Sequence, residues 1–413
     1  MKTFTQIAIV GAGPYGLSLA AHLRELKIDH RIFGRPMSTW QEHMPKSMML
    51  KSDGFASNLF DPADAFPIRD YCRRNGIAYD DTHLPVSLDT FVAYGLAFQQ
   101  RFAPGLDQQN IARVENTAQG FELELEDGNL VGARYVVLAV GITHFAFVPS
   151  TLEGLSSEFL SHSSQHRDGS AFKGRSVTVV GGGSSSTDLA AELNESGASV
   201  SIVTRRPEIQ FHNKPSAAKR AFWQELRHPT SGLGPGWRSR ILCDAPWMFR
   251  MLPEKTRLHI VRNYLGPSAG WPMRERIVGR VPIHSSSTIE KTVPVDGKLY
   301  VHLRKADGAE KVHITDHVIA ATGYKPLLER LQFLSPELRR SIRTVDQAPV
   351  LSRSFESNVR GLFFIGVSAA NTFGPLMRFA VGAGFAARRV TKRIADTVSS
   401  KQSVGARETA NAR

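Results

Sequence analysis

Two short stretches, Gly11-Ala12-Gly13-Pro14-Tyr15-Gly16 and Gly181-Gly182-Gly183-Ser184-Ser185-Ser186, have the composition and spacing of loops that wrap a pyrophosphate. The chemistry they offer is anion capture by main-chain amides. The first glycine permits the turn, the second lets amides approach the phosphates, and the third lets the following helix close on the strand. Gly11, Gly13, Pro14 and Gly16 fill these places in the first loop. Gly181, Gly183 and Ser184 do so in the second, where Ser186 replaces the last glycine and should hold helix and strand slightly farther apart. Two cradles imply two dinucleotides, and two dinucleotides brought face to face suggest FAD reduced by a nicotinamide.

The elements that must position these loops flank them. Ile7-Ala8-Ile9-Val10 reads as a buried strand and Leu17 to Leu23 as a helix; Ser176 to Val180 and Asp188 to Leu193 repeat the order. The strand Ser199 to Thr204 ends in Arg205-Arg206, where a carboxylate would grip a ribose hydroxyl of NAD. Paired guanidinium groups clamp a 2′-phosphate instead, so the second nucleotide is expected to be NADPH. After the first unit the comparable position is Gly34, not the Glu or Asp that usually binds the FAD ribose. The backbone of Gly34, Arg35 and Gln41 are the candidates to replace it.

Composition bounds the alternatives. A chain of 413 residues, 42% hydrophobic, has room for two or three domains with full cores. Its longest strongly apolar runs, such as Gly361 to Val367, are strand-length and far short of the roughly 20 residues of a membrane-spanning helix. The apolar start is broken by glycines and proline, which argues against a signal peptide. Cys72 and Cys243 are the only cysteines, too few for a disulfide scaffold, a zinc site or a Cys-x-x-Cys redox pair. A reducing cytoplasm fits, and the missing dithiol argues against disulfide-reductase chemistry beside a flavin.

Further strand patterns recur at Phe121 to Leu125 and Tyr135 to Gly141, then at Val318 to Tyr324 and Gly361 to Ser368, with a helical pattern from Pro375 to Ala395. The expected fold is α/β, with two Rossmann-like dinucleotide-binding domains and the NADP domain inserted in the FAD domain. The boundaries are residues 1–165 (first part of the FAD domain), 166–320 (NADP domain), 321–397 (second part of the FAD domain) and 398–413, a polar tail expected to be disordered.

With the two cradles in this order, the segment Asp316-His317-Val318-Ile319-Ala320-Ala321-Thr322-Gly323-Tyr324 is similar to the Asp-x3-(Leu/Phe)-Ala-Thr-Gly-Tyr signature of N-hydroxylases, apart from Ala320. Trp40 to Asn58 looks like the flavin-side segment of the same class. Over nearly its whole length the chain resembles the flavin-dependent monooxygenases that include flavin-containing monooxygenases, Baeyer–Villiger monooxygenases and the N-hydroxylases of ornithine and lysine. It departs from them in the linker Phe159 to Asp168, which lacks the glycine of Phe-x-Gly-x3-His and shifts its histidine. The final flavin strand ends Gly366-Val367-Ser368 instead of Gly-Asp, which leans away from simple reductases.

The resemblance implies FAD and NADPH as cofactors, with molecular oxygen and a small organic molecule as substrates. Hydride from NADPH would reduce FAD, and the reduced flavin would activate oxygen as a flavin hydroperoxide. Cofactor contacts are expected from the two cradles, Arg35, Trp40, Gly366, Arg205, Arg206, Thr322 and Gly323. Lys51, Asn58 and Asn371 are the candidates beside the reacting centre, each with a structural role as the competing explanation, and no metal is expected. The alternative is a non-oxygenating NADPH-dependent flavoprotein reductase that passes electrons to a protein or quinone acceptor.

Residues 204–280 hold 15 Lys or Arg against 5 Asp or Glu and four of the five tryptophans. Such an insert would steer NADPH or an anionic substrate toward the flavin. Peripheral membrane contact through Trp and Arg, a nucleic-acid surface and a solvated helical face over a small aromatic core compete with that reading, and nucleic acid is not expected as the partner. His212-Asn213-Lys214-Pro215 opens the insert, where it would line a substrate path.

Overall fold

The computed structural model describes residues 3–214 and 222–411, so the stretch 215–221 of the insert lies outside the described residues. The first sheet is built on the strand Thr3–Val10, which pairs in parallel with His30–Phe33 on one side and Leu130–Leu138 on the other. The far edge of Leu130–Leu138 is shared between two partners. Its beginning pairs antiparallel with Gly120–Leu125 and its end pairs parallel with Leu362–Phe364, a strand from the far end of the chain. Val136, Val137 and Leu138 are thereby buried, as expected of a run with no polar alternation.

Between these visits to the first sheet the chain builds a second, all-parallel sheet. Its order is Leu160–His162, His317–Ala320, Ser176–Val180, Ser199–Val203 and Ile283–His284. The NADP-type unit is therefore inserted in the FAD-type unit. Its edge strand Leu160–His162 lies ahead of the expected boundary at 166. An antiparallel three-stranded sheet, Ser287–Val295, Lys298–Lys305 and Glu310–Thr315, precedes the return to His317–Ala320.

One expectation for the C-terminal part is corrected. The helix placed at Pro375 to Ala395 begins only at Ala383, after short 3₁₀ turns at Pro375–Arg378 and Ala380–Gly382. The reason is Tyr15, whose hydroxyl donates to the carbonyl of Phe379 at 2.9 Å and would lie 2.4 Å from a Cβ placed on Gly382. The chain must wrap this ring before it can coil. The helix then runs Ala383–Asn411.

The insert joins the two cores. Leu233, Leu242 and Phe249 pack into the large hydrophobic cluster of the FAD-type unit, whereas Ala269, Met273 and Ile277 pack into the cluster under the second sheet. Its helices are Phe222–Arg227, Trp237–Asp244, Pro246–Phe249, Glu254–Asn263 and Met273–Ile277. A segment anchored in both cores is placed to fix how the units face each other.

Candidate active site

Both cradles have the expected strand, turn and helix. Gly11 (φ +110°) and Gly181 (φ +147°) occupy matching left-handed positions, and the helices Pro14–Glu25 and Ser184–Glu195 start immediately after Gly13 and Gly183. A Cβ on Gly16 would lie 1.9 Å from the carbonyl oxygen of Gly11, so only glycine lets this helix close on its strand. A Cβ on Gly13 would meet nothing within 4 Å, which leaves that face of the loop open for a pyrophosphate. In the second cradle the hydroxyl of Ser186 donates to the carbonyl of Gly181 at 2.9 Å. Serine thus bonds the carbonyl whose counterpart a side chain at Gly16 would strike. The open loop face at Gly13 fits a dinucleotide pyrophosphate in the first cradle, and both helices present N-termini with no side-chain cap, although Pro267 covers Gly183 in the second.

The C-terminal segment completes the first cradle. Gly366 (φ +76°) faces the ring of Tyr15, with 3.7 Å from a Cβ placed there to the nearest ring carbon. Thr322 and Gly323 lie where the chain crosses between units. The Thr322 hydroxyl donates to the carbonyl of Phe147, the Phe147 amide donates to the carbonyl of Gly323 at 2.9 Å, and a Cβ on Gly181 would lie 2.3 Å from the carbonyl oxygen of the adjoining Ala321.

Arg206 stands beside the second cradle. Its guanidinium donates to the carbonyl of Pro267 at 2.8 Å, and Pro267 itself leans over Gly183, 2.9 Å from a Cβ placed on that glycine. Arg205 is exposed next to it. Arg35 pairs with Glu42 at 2.9 Å. Trp40 meets Phe91 edge-on, ring centroids 4.8 Å apart, and packs partly buried against the main core.

Of the three residues placed near the reacting centre, Lys51 alone lines the pocket between the units. Asn58 holds its own loop together, its amide donating to the carbonyl of Phe55 at 2.9 Å and its side-chain oxygen accepting from the amide of Ile68 at 2.8 Å. Asn371 donates to the carbonyl of Val345 at 3.3 Å and accepts on its own carbonyl from Arg257 at 2.9 Å, so it fastens the C-terminal segment to the insert.

The pocket is formed by the flavin-side segment from Met49 to Asp53, the second cradle helix and both ends of the insert. Its polar groups include Lys51, Asp188 and His212; its apolar wall includes Met49, Leu84, Trp271 and Met273. The Lys51 ammonium donates to the carbonyl of Ser268 at 2.9 Å, and the Ser268 hydroxyl lies 2.7 Å from Nε2 of His212. Although Lys51 is exposed, the surrounding walls partly desolvate its ammonium and pull its pKa down, an effect opposed by Asp188 and reinforced by Arg378. Partial desolvation likewise lowers the exposed His212, with Lys51 adding repulsion. Asp188 is 4% exposed, and burial pushes its carboxyl up to about 6, against the Ser184 hydroxyl that donates to it at 2.9 Å. The sequence signal for Asp188 is its spacing, four residues after Ser184 and so on the same face of the cradle helix.

A clamp holds the walls together. Arg276, from the insert, donates to both carboxylate oxygens of Glu195 at 2.7 and 2.6 Å and to the Ser47 hydroxyl at 2.9 Å. Ser47 in turn donates to Glu192 at 2.6 Å. One guanidinium thus ties the flavin-side segment to the NADP-type helix, in the bidentate geometry that makes such pairs strong.

With this geometry established, the family model of pyridine nucleotide-disulphide oxidoreductases matches residues 8–228, more than half of the chain. The chain belongs to the pyridine nucleotide-disulphide oxidoreductase family. Within this oxidoreductase family it is 29% identical over 346 residues to an indole-3-pyruvate monooxygenase from Oryza sativa subsp. japonica, covering 77% of this chain and 76% of that one. A ferredoxin–NADP reductase from Granulibacter bethesdensis is 29% identical over 208 residues, 50% of this chain and 53% of the other. The fold is shared with an ornithine N-hydroxylase from Kutzneria sp. 744, with a TM-score of 0.75 at 16% identity over 95% of this chain and 99% of that one. The disulphide in the family's name has no counterpart in the two cysteines of this chain. Cys72 is buried in the main core, Cys243 sits in the insert, both are free, and burial raises both pKa values, Cys243 to about 11.

Proposed function

We propose that this oxidoreductase is an FAD- and NADPH-dependent monooxygenase acting on a small organic substrate. The observation that carries the reading is the pocket between the two cradles, walled by the flavin-side segment, the NADP-type helix and the insert, with Lys51, Asp188 and His212 inside it and no thiol among its lining residues. Bound FAD supplies the redox chemistry: with two electrons from NADPH and two protons, one atom of oxygen enters the substrate and the other leaves as water.

The chain's own residues bind, orient and shield. Amides at the N-termini of Pro14–Glu25 and Ser184–Glu195 hold the two pyrophosphates. Arg205 and Arg206 take the ribose 2′-phosphate, which selects NADPH over NADH. Met49, Leu84, Trp271 and Met273 give the pocket an apolar wall against which an organic substrate can pack. Lys51 presents a cation to an electron-rich or anionic group, and Asp188, protonated below about pH 6, holds a proton at the pocket floor. The oxygenase relative aligns over about three quarters of both chains and the reductase relative over about half, which favours oxygenation over electron export.

The test is isotopic. Purified protein loaded with FAD is given NADPH, ¹⁸O₂ and a panel of amines, sulfides, ketones and indolic acids. One ¹⁸O atom in a product, formed in step with NADPH oxidation, supports the proposal. NADPH oxidation that accelerates only with a quinone or ferredoxin, with no labelled product, would assign the protein to the reductases.

A further inference from the structure

The end of the strand His30–Phe33 lacks the acid that normally holds the FAD ribose, and the structure shows why no residue at position 34 can supply it. Gly34 has φ +112°, a left-handed conformation that strains any side chain. The space beside it is bounded by the first cradle: a Cβ built on Gly34 would lie 3.7 Å from the Gly11 Cα and 3.8 Å from the Ala12 nitrogen. This is the corner where a cradle-bound dinucleotide turns its ribose toward the second strand.

The nearby groups named as substitutes are engaged. The Gly34 amide donates to the carbonyl of Asp107 at 2.9 Å, the Arg35 guanidinium pairs with Glu42, and the Gln41 amide donates to the carbonyl of Pro36 at 2.7 Å. Asp107 is tied to Arg31 at 2.8 Å. One acceptor faces the corner. The side-chain oxygen of Asn110 lies 3.9 Å from the Cβ position of Gly34 and accepts no hydrogen bond among the described residues. Its orientation is fixed from behind, because its amide donates to both carboxylate oxygens of Glu126, at 3.0 and 3.1 Å.

We infer that the side-chain carbonyl of Asn110, aimed by Glu126, replaces the missing acid and accepts a hydrogen bond from a ribose hydroxyl in the adenosine half of FAD. The inference rests on FAD occupying the first cradle and is independent of whether oxygen or another acceptor takes the electrons. Asn110 reaches the corner from the loop between Phe102 and the strand Ile111–Thr117, about 75 residues beyond the usual position of the acid.

Full-length protein stripped of flavin is titrated with FAD, with FMN, which lacks the adenosine, and with ADP-ribose as a competitor. Flavin fluorescence and the displacement of bound FAD give the affinities. Asn110→Ala should raise the Kd for FAD and for ADP-ribose about three- to tenfold, the range of one ordinary hydrogen bond, and leave any FMN affinity unchanged. The exchanged pair Asn110→Asp with Glu126→Gln keeps an acceptor at the corner and a donor behind it, and should restore FAD binding to at least the wild-type level. Unchanged FAD and ADP-ribose affinities in Asn110→Ala, or an equal loss for FMN, would overturn the inference. Failure of the wild-type protein to bind FAD would instead refute the cofactor assignment beneath it.

Discussion

The ammonium of Lys51 and the carbonyl of Ser268, 217 residues apart in the chain, meet at 2.9 Å across the pocket. A residue of the flavin-side segment thereby holds the end of the insert that leans, through Pro267, over the second cradle. Replacing Lys51 with Met removes a charge-assisted hydrogen bond, worth about 1.5–3 kcal/mol. Flavin content should be unchanged, and the rate of anaerobic flavin reduction by NADPH should fall about tenfold or more. Stopped-flow absorbance reads this directly, and an unaltered rate would remove Lys51 from the coupling between the units.

On the proposed function, Arg205 and Arg206 set the preference for a phosphorylated nicotinamide. Changing both to Ala should raise KM for NADPH by about 10–100-fold, the scale of losing a bidentate charged contact, with little change for NADH. Steady-state kinetics with both coenzymes settles the point; a parallel loss for both would mean that the arginines serve folding.

The two cradles answer differently to the same small change. Gly16→Ala places a methyl 1.9 Å from the Gly11 carbonyl, so helix and strand must separate, and FAD retention should fall with a stability loss of about 1–3 kcal/mol. Ser186→Ala removes only the hydrogen bond to Gly181, about 1 kcal/mol, with both cradles intact. Flavin content after purification and denaturant unfolding separate the two outcomes.

Asp188 makes stability depend on pH in a defined direction. Its folded pKa of about 6 lies above its ordinary 3.8, so between those values the folded protein keeps a proton that the unfolded chain has released. This contribution is full below about pH 4, falls as pH rises and is gone above about pH 6. Asp188→Asn lacks that slope. The stability difference should shift in the variant's favour by about 1–3 kcal/mol between pH 4 and 7, measured by urea unfolding at each pH. A difference that stays flat over that range would show that the carboxyl is not held protonated.

The sequence exposed those parts of the molecule whose physics is local. Both cradles, their flanking elements and the inserted topology followed from glycine spacing and apolar runs, because a phosphate-binding turn tolerates few alternatives. Lys51 was legible as a flavin-side residue. Asp188 and Asn110 were not, since one matters through burial by three distant segments and the other through a loop folded back onto Gly34. The late start of the last helix was hidden for the same reason, because the ring of Tyr15 is more than 360 residues from the turns that wrap it. Asn58 and Asn371 had suitable residue types in suitable neighbourhoods, yet their amides bind backbone, a fact that only three-dimensional contacts reveal.

The central claim is that one chain brings a nicotinamide against the flavin held by its own N-terminal cradle. The most direct measurement is the visible absorbance of the FAD-loaded protein after NADPH is added without oxygen. Rapid loss of the yellow colour, with NADPH far more effective than NADH, is the predicted result. Protein that stays yellow with excess of either coenzyme would contradict it.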